Sequence, residues 1–195
     1  LWGGDARADA RVVGRSADGR PTAWEASHDA YRRLARPATV TRRLEVGPSR
    51  VALIDRVEGE GPWSASLVLP FGPDCRVVGL GSDEIGADEI GAGEIGAGEI
   101  GAGEIDASSD GVTRVRLEVG ARRVDLGLSG PLRWHLVPAG QPPEGVVSFR
   151  FGERTSVLAL VGTGRLSPGD AVVSTFDAVP AGDGAPNPRR DPIRR

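Results

Sequence analysis

His28 and Tyr31 stand three residues apart in the stretch WEASHDAYRRL, which spans residues 24–34 and closes on the pair Arg32 and Arg33. Tyr31 is the only tyrosine of the chain and His28 one of two histidines. An imidazole and a phenol can serve as base and acid when a proton is removed next to a carboxylate. The guanidinium forks of Arg32 and Arg33, and of Arg42 and Arg43 in the next segment TVTRRLEV, suit carboxylate and sulfate groups on acidic sugars. These six side chains are the candidate substrate-binding residues. In a regular strand, positions i and i+3 point to opposite faces, so only a turn would bring His28 and Tyr31 together. The plainer reading makes His28-Asp29 a hydrogen-bonded corner, with the Tyr31 ring packed at a sheet edge.

The remaining chemistry-bearing residues are sparse. His135 lies in LRWHLV beside Trp134, and alternation sends one of the two inward and the other outward. An exposed Trp134 or Trp63 could stack on a sugar ring, although Trp63 falls in the apolar register of its strand, which favours core packing. With one cysteine and two histidines in all, the chain does not suit a structural zinc site, and no cofactor, metal or catalytic residue is expected from it. Cys75 stands alone in DCRVVGL and reads as a small buried hydrophobe. Neither a GxSxG elbow nor a phosphate loop occurs.

Short strands must position these residues. Trp63, Ala65, Leu67, Leu69 and Phe71 alternate with other positions, as do Val115, Leu117 and Val119 against Arg114, Arg116 and Glu118. After Gly120 the pattern returns as Val124, Leu126 and Leu128, which predicts an antiparallel hairpin with one apolar and one solvated face. Further strands are expected around 10–15, 22–27, 39–46, 50–58, 74–80, 132–138, 145–151, 156–161 and 171–177. Turn chemistry such as Gly47-Pro48-Ser49 and Ser167-Pro168-Gly169 separates them. No window carries a sustained helical stripe. The expected fold is therefore all-β, an antiparallel β-sandwich over residues 1–178.

Two segments fall outside that pattern. Residues 81–105 are five pentapeptides, GSDEI, GADEI and three copies of GAGEI. Such a run supplies little more than one coil of a solenoid, and its spaced acids lack the dense oxygen ligands of a calcium loop. Residues 81–110 are expected to be a flexible low-complexity loop insertion. The proline- and arginine-rich residues 179–195 are expected to be a disordered tail. The chain has 195 residues, no methionine and a leucine at position 1, which suggests a piece of a longer protein. Its net charge of −3 argues against a nucleic-acid surface, and no run approaches a membrane span. All 24 basic residues are arginine, a bias that a GC-rich genome explains as well as function does.

The order of these segments resembles the C-terminal β-sandwich of heparinase II/III-like polysaccharide lyases. LWGG followed by ARADARVVGR resembles the strand pair entering that sandwich, and WEASHDAYRRL a segment ending in tyrosine and arginines. ALIDRVEGEG resembles a strand and turn of the family, with Asp55 and Gly59 at the matching places. Thr41 and Trp63 stand where members commonly carry histidine. The resemblance implies a parent enzyme that cleaves acidic, uronate-containing polysaccharide by β-elimination, at the cell envelope or outside the cell. It also implies an N-terminal α/α toroid domain, missing from this chain, which carries most of the catalytic residues, while this segment supports the cleft. The alternative is a non-catalytic carbohydrate-binding or scaffold sandwich of an envelope protein.

Overall fold

A computed structural model describes residues 7–80, 104–105, 111–140, 146–147 and 153–179. Their regular structure is entirely strand. In chain order these are β1 (Ala8–Arg15), β2 (Pro21–Tyr31), β3 (Ala38–Val46), β4 (Arg50–Gly59), β5 (Trp63–Pro70), β6 (Cys75–Leu80) and β7 (Glu104–Ile105). There follow β8 (Thr113–Val119), β9 (Arg122–Ser129), β10 (Leu132–Val137), β11 (Val146–Val147), β12 (Thr155–Ser156), β13 (Ala159–Leu166) and β14 (Ala171–Val179).

The strands form an eight-stranded sheet in the order β1-β2-β3-β4-β14-β9-β8-β6 and a four-stranded sheet in the order β5-β13-β10-β7. Every pairing is antiparallel. The expected β8–β9 hairpin turns at Gly120, whose φ of 60° places it in the left-handed region that glycine favours. Only two residues of the strand expected at 145–151 lie within the described residues, as β11. β2 runs four residues past the expected 22–27, which makes His28 and Tyr31 strand residues. At the end of the pentapeptide run Glu104 and Ile105 pair with His135 and Trp134 of β10, and Ile105 is buried, so these two residues join the small sheet. The rest of that insertion, and the tail beyond Val179, lie outside the described residues.

The apolar registers of the two sheets meet in one core. Leu67 and Leu69 of β5, Leu132, Trp134 and Leu136 of β10, and Leu160 and Leu166 of β13 face Val115, Leu117, Leu126, Leu128 and Val172 of the large sheet. Trp134 is 1% exposed, so it cannot serve as a sugar platform. Its indole lies over Gly162, directly opposite it in register, where an added Cβ would come within 2.9 Å of the ring. Trp63 packs at the core margin, in keeping with its register. Cys75 is half-buried there too, and burial pushes its thiol pKa up, away from the reactive thiolate.

The large sheet is wider than the small one. None of the residues in this core cluster comes from β1, β2 or β3. One cross-strand row shows the change, running Thr113, Leu128, Ser174, Leu53, Leu44, Trp24, Val12. Thr113, Leu128 and Ser174 are buried, Leu53, Leu44 and Trp24 are half-buried, and Val12 is 39% exposed. The neighbouring row ends in the same way at Val51 and Val46. The core-facing side of the sheet thus continues as an apolar overhang that the small sheet does not cover.

Candidate functional site

The register places the candidate residues on this overhang or away from it. Val40 and Arg42 of β3 stand opposite His28 and Ala26 of β2, and opposite Val57 and Asp55 of β4. Val57 and Val172, the latter paired with Asp55, belong to the core, so His28 and Arg42 lie on the core-facing side. Tyr31 stands opposite Ala38, in the same register as Val40. Between His28 and Tyr31, β2 spends one residue more than β3, a β-bulge that reverses the side-chain parity. The bulge, without any turn, brings the two rings to one face, with centroids 5.3 Å apart and planes tilted by 52°.

Asp29 holds the bulge. Its carboxylate accepts from the Arg7 amide at 2.7 Å, and its own amide donates to the Arg7 carbonyl at 3.1 Å. The same carboxylate lies 3.6 Å from the Arg32 guanidinium, and the Asp29 carbonyl accepts from the Arg32 amide at 2.9 Å. The segment beyond, which carries exposed Arg32 and Arg33, is clipped to the small sheet. The Trp63 indole N–H donates to the Arg36 carbonyl at 2.9 Å, and the Arg36 guanidinium donates to the Pro62 carbonyl at 3.2 Å. Gly59 lets the chain pass close by, since a Cβ there would sit 2.2 Å from the Pro37 oxygen. A hollow of about 310 Å³ lies beside Arg32, bordered by Glu58 and Thr39.

Arg42 forms a bidentate pair with Asp55, Nε to Oδ1 at 2.7 Å and Nη2 to Oδ2 at 3.0 Å. The hydrogen bond to Asp55 raises the Arg42 pKa further, so the guanidinium stays charged. Half of the Arg42 side chain remains exposed, while Asp55 is largely covered. The carboxylate therefore aims a permanent cation across an apolar face. Among the described residues, no cluster of three or more His, Cys, Asp or Glu side chains is arranged to hold a metal ion.

Across these strands and turns, the family model described as "Heparinase II/III-like, C-terminal" matches residues 1–175. The chain belongs to this family. No curated protein matches it. Among the heparinase-like residues singled out in the sequence, His28, Tyr31 and Arg42 share the overhang, and Arg32 and Arg33 lie just beyond its β2 end. Arg43 is not with them. It stands opposite Glu25 on the far side of the sheet and pairs with Glu45 at 2.8 Å.

That far side is polar, and sequence reading missed its organisation. Arg50, Asp177, Asp125 and Arg116 succeed one another across four strands of this heparinase-like sheet. Arg50 grips Asp177 at 2.6 and 2.8 Å, and Arg116 grips Asp125 at 2.7 and 3.4 Å. The hydrogen bond from Arg50 holds the Asp177 carboxyl below the usual carboxylate range. At about pH 4, near the ordinary carboxylate value, the unfolded chain then binds more protons at this site than the folded one. The stabilisation is complete above that pH and is lost as pH falls through the depressed folded value. Arg50→Gln is expected to flatten the acid limb of the stability profile below about pH 4, measured by urea midpoints. Identical limbs for the two chains would refute this coupling.

Proposed function

We propose that this chain is the sandwich segment of a polysaccharide lyase that cleaves uronate-containing glycans by β-elimination, and that it shapes the cleft instead of supplying the catalytic groups. In this reading the apolar overhang of β1–β4 docks on an N-terminal α/α toroid, and the His28–Tyr31 end of that face walls the glycan cleft. The reading rests on one observation: a bare apolar face, continuous with the core, carries His28, Tyr31 and Arg42 together. β1 forms its outer margin, and in this reading a domain N-terminal to β1 would sit beside that face.

β-Elimination needs the uronate carboxylate neutralised, a base for the C5 proton and an acid for the departing oxygen. Arg32, Arg33 and Arg42 suit the first task. His28 and Tyr31 offer a ring edge and hydrogen-bonding groups for a sugar, and base and acid come from the toroid. An external polymeric substrate implies work in the cell envelope or outside the cell.

The purified chain is expected to fold, with a cooperative thermal transition, and to leave acidic polysaccharides intact. Ultraviolet absorbance from unsaturated uronate ends, followed with alginate, polygalacturonate and heparan sulfate, checks this. Steady growth of that absorbance with this chain alone would refute the division of labour.

A further inference from the structure

On the polar side of the large sheet, at the end of the strands away from His28, lies an open groove of about 410 Å³. It is lined by the small residues Gly14, Ala23 and Ala52 and by Arg15, Arg43, Arg50 and Glu45, with the Arg15 guanidinium donating to the Gly19 carbonyl at 2.9 Å. The bed is tightly seated. Ala23 and Ala52 are buried, and a Cβ at Gly14 would come within 2.9 Å of the Ala23 methyl. Arg43 pairs with Glu45, whose carboxylate takes Nη2 at 2.8 Å. The Arg43 Nε–H is buried yet meets no acceptor. A buried donor left without an acceptor is unfavourable, and a ligand oxygen reaches this one when the Arg43 side chain shifts toward the groove. Arg50 has Nε and Nη2 engaged with Asp177, a pairing that leaves Nη1 for another acceptor.

We propose that this groove is a second, non-catalytic binding site for an anionic sugar residue, a pyranose bearing a carboxylate or a sulfate ester. The chemistry follows from the lining. Guanidinium forks match planar anions and sulfate oxygens. A bed of alanine and glycine accepts the C–H face of a ring without a steric demand. The groove is open along the sheet instead of closed over its contents, which suits one residue of a polymer lying across the surface better than an enclosed metabolite. The site is independent of the proposed cleft: it lies on the opposite face, roughly 20 Å away along β2.

The test uses the chain itself and the Nε–H resonances of its arginines in ¹H–¹⁵N spectra. Titration with a tetragalacturonate and with a sulfated heparin disaccharide distinguishes the carboxylate from the sulfate ester, with maltotetraose and inorganic sulfate as controls at matched ionic strength. The expected result is a saturable shift of the Arg43 Nε–H with at least one anionic sugar and none with maltotetraose. Arg43→Gln is expected to weaken that binding at least fivefold and Arg43→Lys to fail to restore it, while Arg122→Gln leaves it unchanged. Should Arg43→Gln not fold, Arg15→Gln gives the same readout with a smaller loss. An equal response to maltotetraose, a response to inorganic sulfate as strong as to either sugar, or shifts confined to Arg32, Arg33 and Arg42 would overturn the proposal. The last outcome would still leave the cleft reading standing.

Discussion

Trp134→Ala is expected to lower the unfolding free energy by about 3–5 kcal/mol, the usual cost of emptying a buried indole site. The ring is 1% exposed and belongs to the core cluster shared by both sheets. Its partner position magnifies the effect, because Gly162 exists to admit the ring. A methyl group there would lie 2.9–3.0 Å from three carbons of the indole, well inside contact distance. Gly162→Ala alone should cost about 1–3 kcal/mol through overpacking. In the Trp134→Leu background the same glycine change should cost much less, since the obstructing ring is gone. Urea denaturation of the four proteins measures the coupling. Strictly additive losses would show that the indole does not occupy the space over Gly162.

On the docking proposed above, Leu44→Glu is expected to lower the lyase activity proposed for the longer protein at least tenfold while leaving the isolated sandwich folded. Leu44 is half-buried in the middle of the overhang, between Trp24 and Leu53. A carboxylate there can reach water in the isolated chain but becomes an unpaired buried charge once a domain covers the face. Hydrogen exchange of β2 and β3 in the parent, compared with the isolated chain, reads the covering directly. Val12→Glu, at the exposed margin, should act in the same direction with a smaller effect. Full activity and undiminished exchange protection in the Leu44→Glu parent would remove the overhang from the proposed interface.

Alternation carried the fold well. The hairpin of β8 and β9 and the β5 strand follow from which positions are apolar, whereas alternation leaves open which of Trp134 and His135 takes the inward place. Alternation does not say what covers a face, and for that reason the overhang that carries Trp24 and Leu44 was invisible. Nor does it count through a bulge. Asp29 and Ala30 carry no glycine or proline to announce one, so the parity rule put His28 and Tyr31 on opposite sides when the strand brings them together. The groove needed long-range register, because Gly14, Ala23 and Ala52 become neighbours only when β1, β2 and β4 are laid across β3. The ion pairs of Asp177 with Arg50 span 127 positions of sequence, a distance over which local pattern has no reach.

The row from Thr113 to Val12 makes the large sheet behave as a cantilever, clamped along one half and projecting from the other. Each strand is tied to the next by the same ladder of backbone hydrogen bonds, so a torque applied at the projecting margin changes the coil of the whole plank. A load at the projecting margin is therefore borne through the clamped strands and not by β1 alone.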